Sequence, residues 1–225
     1  MPRLILFDLD QTLVDAMEHH TIAYKKAFKE VYKVDAQLIE IKFAGKMVQN
    51  IIREIGELKG IHRNELESKL TEAIKKIEFY FKGSVEKGRI TVLPGVVELL
   101  KKLKESNHFL GVITGNPKII TTSILKKSGL EGYFDVFVCG AQDKDRVQLV
   151  GMAMAEAEGK SSTKFLGKDV AIVGDSIHDI ESGKPYGSLM IAMTTGFYSR
   201  DDLLQHSPDY IFEDMTDPQL LKVLL

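Results

Sequence analysis

Two aspartates one residue apart, Asp8 and Asp10, end the apolar run of LILFDLDQTLVD. Thr114, Gly115 and Asn116 follow FLGVI, and Gly174 and Asp175 follow VAIV, with Asp179 one helical turn further on. A single Asp after an apolar run commonly caps a helix or turn. Four carboxylates brought to one edge are a different matter, because they repel one another unless a cation neutralises them. An all-oxygen, hard donor set of this kind suits Mg²⁺, which is the expected cofactor, with Asp8, Asp10, Asp175 and Asp179 as its candidate ligands.

For these groups to meet, the intervening chain must bring the strand ends together. RLILF, FLGVITG, FDVFVCG, DVAIVGD and SLMIAMTTG are continuous apolar runs, as expected of parallel strands covered on both faces. VVELLKKLKES, PKIITTSILKKSG, DRVQLVGMAMAEAEG and IHDIESGKPYG have helical spacing and end near Gly or Ser. The alternation predicts a doubly wound α/β fold with a parallel sheet, in which ligands bind beyond the carboxyl ends of the strands. Residues 16–88 break the pattern: EHHTIAYKKAFKEVY, KMVQNIIREIGE and RNELESKLTEAIKKIEFYF read as helix, and the stretch reads as helical throughout. The expected organisation is an α/β core of residues 1–15 and 89–225, with an all-helical cap domain inserted at 16–88 and LPGVVELL re-entering the core.

DLDQT at 8–12, TGN at 114–116 and GDSIHD at 174–179 resemble, in order and spacing, the signature motifs of the haloacid dehalogenase-like hydrolase superfamily. The resemblance spans essentially the whole chain and is closest to the phosphatase branch with a helical cap, as in phosphoglycolate phosphatases. It implies a Rossmann-like core, a mobile cap and hydrolysis of a small phosphate monoester through an aspartyl-phosphate. In that scheme Asp8 is the nucleophile and Asp10 the acid and base. Thr114, with Gly115 and Asn116, holds the phosphoryl oxygens, and Thr12 helps orient Asp8 or caps the turn on the substrate side. Asp8, the Asp10 carbonyl and Asp175 hold Mg²⁺, supported by Asp179. Two positions depart from the pattern. Gln11 stands where Gly is common, and the third motif, usually Lys followed by Pro, is replaced by GAQDKDRVQLV. Lys144 or Arg146 can supply its cation; DRVQL resembles a family variant with Arg three residues before Leu, which favours Arg146.

The remaining residues bound the reading. The chain has 225 residues, a net charge of −2 and mixed acids and bases, so no basic surface calls for nucleic acid. No apolar stretch approaches the roughly 20 residues of a membrane helix, and MPRLILFDLD lacks the longer apolar region of a signal peptide, so the cytoplasm is the expected location. Cys139, in FDVFVCG, is expected to pack rather than react. Asp15 is expected at a hinge or helix start, His19 and His20 as solvated residues of the first inserted helix, and His178 as a loop-packing residue. Residues 16–88 carry 14 Lys and Arg against 11 Asp and Glu, a net of +3, which suits an anionic substrate. Within them Gly45 and Lys46 are expected at a helix start, with Lys46 touching the leaving group of a small phosphorylated metabolite. A phosphomutase of the same superfamily is the alternative enzyme. A dehalogenase is disfavoured because halide leaves without the proton that Asp10 supplies, and a phosphoacceptor signalling module because such modules are about half this length. Neither the substrate nor the oligomeric state is legible.

Overall fold

The computed structural model describes residues 2–140 and 145–225. Its strands are β1 (Leu4–Phe7), β2 (Val14–Asp15), β3 (Thr91–Val92), β4 (Phe109–Thr114), β5 (Val136–Cys139), β6 (Val170–Gly174), β7 (Leu189–Met193) and β8 (Tyr210–Phe212). Six of them form one parallel sheet in the order β5-β4-β1-β6-β7-β8. The five apolar runs predicted from the sequence are β1, β4, β5, β6 and β7. Strand β8 was not anticipated: three residues at a sheet edge, with Tyr210 exposed, carry too little apolar signal.

Side chains alternate across the sheet, as strand geometry requires. Ile5, Phe7, Val112 and Val173 face one apolar cluster, while Leu4, Leu6, Ile113 and Ile172 face the other. The first cluster takes in α4 (Val96–Lys104) and α5 (Lys118–Ser128) and runs on without interruption into the inserted helices. The second is covered by α6 (Arg146–Ser161), α7 (Ile177–Gly183) and, through Leu203, by α8 (Arg200–Leu204); α9 (Pro218–Leu224) adds Leu220 and Leu224 to the first.

The inserted segment holds α1 (Met17–Val31), α2 (Val48–Leu58) and α3 (Arg63–Lys87). Helix α3 buries Leu66, Leu70, Ala73, Ile77, Phe81 and Val85, a single stripe at three- and four-residue spacing that packs against α1 and α2. Two expectations for this segment are corrected. Residues 32–47 contain only one 3-10 turn, Leu38–Glu40, and are otherwise non-helical. Helix α2 opens at Val48 rather than at Gly45 or Lys46: its N-cap is Met47, in extended conformation, and Gly45 is left-handed with a φ of +73°, outside the helical region. Where the chain leaves and re-enters the core, β2 and β3 pair antiparallel, Val14 with Val92 and Asp15 with Thr91. Asp15 Oδ1 accepts from Met17 N at 3.0 Å, so this residue does open α1.

Candidate active site

Register fixes the meeting point. Phe7 lies level with Val112 on one side and Val173 on the other. One residue on from Phe7 is Asp8; two residues on from its neighbours are Thr114 and Asp175. All three therefore emerge at one sheet edge, beside the β1–β6 boundary, where successive crossovers part to opposite sides of the sheet. Backbone pairing continues to the site itself, with Asp8 N donating to Val173 O at 2.9 Å.

Four buried ionic groups occupy this edge: Asp8, Asp175, Asp179 and Arg146. Arg146 stands at the first position of α6 because DRVQ forms a capping box. Gln148 N donates to Asp145 Oδ1 at 2.8 Å, and Asp145 N to Gln148 Oε1 at 3.0 Å. From there Arg146 Nη2 reaches Asp8 Oδ1 at 2.6 Å and also bonds Asp179 Oδ1, while Nη1 donates to Gly45 O at 3.3 Å. Asp179 is further fixed by Ser176, whose N and Oγ donate to its Oδ2 at 2.9 and 2.6 Å. Thr12 Oγ1 donates to Asp175 Oδ1 at 2.9 Å. The expectation that Thr12 orients Asp8 or faces the substrate is corrected, since it is buried behind Asp175. Lys144 lies outside the described residues.

Carboxylate oxygens of Asp8, Asp175 and Asp179 fall within 4.8 Å of one another, with a single guanidinium between them. Burial raises the Asp8 carboxyl to about 7 despite Arg146, and Asp179 and Asp10 push the same way. Burial, then Asp8 and Asp179, also holds Asp175 well above the ordinary carboxylate range. The cluster is short of positive charge. Both oxygens of Asp179 are engaged by protein donors, whereas Asp8 Oδ2 and Asp175 Oδ2 have no hydrogen-bond donor among the described residues. An oxygen-only, buried, anion-rich set with two open oxygens fits a hard divalent cation.

Asp10 is held differently. His20 Nε2 lies 3.0 Å from its Oδ1, and Asn116 Nδ2 donates to its Oδ2 at 2.5 Å. Burial alone would raise this carboxyl, but His20 and then Asn116 outweigh it and hold it below the ordinary value. Both histidines expected to be solvated are buried, His19 bonding Ser84 and the Arg89 carbonyl. The sequence held a signal that was not used: Met17, His20 and Tyr24 fall at i, i+3 and i+7 on α1 and share one face, and all three line the pocket.

That pocket, about 520 Å³ including its mouth, is bounded on the core side by Asp8, Asp10, Thr114, Gly115, Asn116, Arg146 and Asp175. The inserted segment closes its other side. Phe43 meets Phe197 edge-on at the entrance, ring centroids 4.9 Å apart. Loop 43–48 sits tightly on the core: Val48 N donates to Gly115 O at 3.2 Å, and a Cβ on Gly115 would lie 2.3 Å from Lys46 O. Gly115 thus works through its lack of a side chain. Lys46 borders the pocket with its ammonium bound to Glu54. Cys139 is partly buried at the end of β5, and burial raises its thiol.

The model of the haloacid dehalogenase-like hydrolase family matches residues 5–193, strand β1 through β7. The chain belongs to this family. As a hydrolase it is 26% identical over 225 residues to a phosphoglycolate phosphatase of Haemophilus influenzae, covering 99% of this chain and 98% of that one. It is also 26% identical over 228 residues to phosphoglycolate phosphatase 1 of Pseudomonas aeruginosa, covering 96% and 78%. The crystal structure of a predicted phosphatase from Clostridium acetobutylicum superposes with a TM-score of 0.79 at 24% identity, over 99% of this chain and 97% of that one. The hydrolase's departure at Gln11 has a visible consequence. Gln11 has a φ of +60°, the left-handed conformation that favours glycine, and its side chain is tied down by a 2.8 Å bond to Asp15 Oδ1.

Proposed function

We propose that this hydrolase is a divalent-cation-dependent phosphatase that cleaves a small phosphate monoester through an aspartyl-phosphate on Asp8. One observation carries the reading: two carboxylates face the same pocket in opposite electrostatic settings, Asp8 against the Arg146 guanidinium and Asp10 between His20 and Asn116. A carboxylate beside a guanidinium and a second carboxylate hydrogen-bonded to an imidazole give one site both a nucleophile and a proton-transfer relay.

Asp8 attacks phosphorus while the ester oxygen departs with a proton that Asp10 relays from His20, whose Nε2 lies 3.0 Å from Asp10 Oδ1. Asp10 then takes a proton from water, which attacks the acyl phosphate, releases inorganic phosphate and returns Asp8. Thr114 and the backbone N–H groups after it are the donors for the transferred oxygens. Arg146 opposes the burial that raises Asp8, fixes its carboxylate in place and holds Asp179 beside it. Asp8 and Asp175 would hold Mg²⁺ together with the Asp10 carbonyl, and Asp179 would support its hydration shell. When bound, the ion supplies neutralisation of the phosphoryl charge. Helices α1–α3, residues 16–88, act as the cap domain that excludes water, with β2 and β3 as the hinge.

The test is release of inorganic phosphate from p-nitrophenyl phosphate and from a panel of phosphorylated metabolites in excess Mg²⁺, with Asp8→Asn as control. Phosphate release that survives Asp8→Asn refutes the proposal.

A further inference from the structure

The leaving group of a bound ester must lie on the pocket side away from the core carboxylates, and the composition of that side is informative. Met17, Leu38, Phe43 and Ile51 make it apolar. Its polar side chains are already engaged. Gln11 Nε2 bonds Asp15 at 2.8 Å, His20 and Asn116 both hold Asp10, and Lys46 pairs with Glu54. The pocket's other cation, Arg146, serves Asp8, Asp179 and the Gly45 carbonyl. Although the Lys46–Glu54 pair is partly exposed, its opening would still leave the Glu54 charge beside the ammonium and cancel most of its field. Among the described residues, no cation bordering this pocket is left for a second negative charge.

One polar group stands apart. Tyr24 is 3% exposed, lines the pocket and has no hydrogen-bond partner among the described residues. Burial, and then the nearby Asp10 charge, hold its phenol protonated. A hydroxyl on the pocket wall beside apolar side chains, with no partner among the described residues, is a placed donor for a ligand.

We propose that this chamber selects phosphate monoesters of small uncharged alcohols, with the Tyr24 hydroxyl as the contact for one further hydroxyl, and rejects a leaving group that carries a carboxylate. The inference rests on the phosphatase reading and names its substrate class. A carboxylate entering the chamber would lose its hydration, meet no free cation among the described residues and approach Asp10. A neutral chain gains from burial against the apolar wall, and a hydroxyl on it finds Tyr24.

The experiment measures kcat/KM for three esters of similar size: 2-hydroxyethyl phosphate, propyl phosphate and phosphoglycolate, with p-nitrophenyl phosphate in parallel. We expect 2-hydroxyethyl phosphate to exceed phosphoglycolate by about tenfold or more, the scale of a mismatched pocket contact. Tyr24→Phe should lower the ratio of 2-hydroxyethyl to propyl phosphate by about fivefold, the worth of one hydrogen bond. That ratio is taken within one variant, so it is independent of the folded fraction. Glu54→Gln should raise phosphoglycolate relative to propyl phosphate by freeing Lys46. Preference for phosphoglycolate, an unchanged ratio in Tyr24→Phe, or turnover of p-nitrophenyl phosphate with none of the three small esters overturns the inference while leaving the phosphatase reading intact. No turnover of any ester overturns the phosphatase reading itself.

Discussion

Removal of the Arg146 guanidinium tests the electrostatic account of the site most directly. Arg146→Met keeps most of the stem volume but leaves Asp8, Asp175 and Asp179 buried together without a cation. Breaking a buried ion pair from one side costs about 3–5 kcal/mol, because the partner charges stay behind. For a chain of this size each kcal/mol moves the melting temperature by about 2–4 °C, so a fall on the order of 10 °C is expected in EDTA. Asp8 already titrates near 7 with the guanidinium beside it. Without Arg146 the metal-free carboxyl rises further, and loss of the fixed cation beside the nucleophile should lower kcat by about 10²–10³ in excess Mg²⁺. Adding Asp179→Asn to Arg146→Met should recover much of the lost stability, since one stranded charge is removed, but none of the activity. Arg146→Lys should rescue only in part, as an ammonium has no second nitrogen for the Gly45 carbonyl and no planar fork to fix its direction. Lys144→Ala should change stability by no more than about 0.5 kcal/mol. Thermal unfolding followed by circular dichroism and steady-state phosphate release read both quantities. Should Arg146→Met melt within about 2 °C of the parent and keep kcat within about threefold, the buried pair is not what organises this site.

Three further outcomes are expected. Asp8→Asn should abolish the phosphorylated protein detected by mass spectrometry, whereas Asp10→Asn should slow turnover by about 10²-fold or more, with a smaller loss for p-nitrophenyl phosphate, whose leaving group needs little protonation; phosphate trapped on another residue would refute the assignment. Because Asp8 is raised from 3.8 to about 7 in the folded, metal-free protein, folding takes up a proton between those values, so stability should fall as pH rises through that window. Mg²⁺ should flatten the slope and bind more tightly as pH rises, and Asp175→Asn should raise the metal concentration required; a metal-free protein whose urea midpoint is flat across the window contradicts this. Gln11→Gly should stabilise by about 0.5–1 kcal/mol, because glycine relieves the left-handed strain and the bond lost to Asp15 is exposed; a lower urea midpoint would place the strain elsewhere.

Local signals in the sequence were enough for the parallel sheet, its five main strands and the strand-end residues, because buried parallel strands are continuous apolar runs and their carboxyl ends are where ligands gather. Asp8, Asp10, Thr114 and Asp175 were legible for that reason, and the DRVQL reading put Arg146 where a capping box does hold it. What the sequence could not supply was partnership across long separations. Thr12 meets Asp175 across 163 residues and Asn116 meets Asp10 across 106. His20 reads as a polar residue on a helix that the eye places in water, and only the packing of α1 over the sheet edge brings it to Asp10. The same packing turns Tyr24 toward the pocket. Residue type and spacing fix which chemistry a strand end can carry, because they act through neighbours in the chain; which charge is satisfied, and by whom, depends on groups that only tertiary folding makes neighbours.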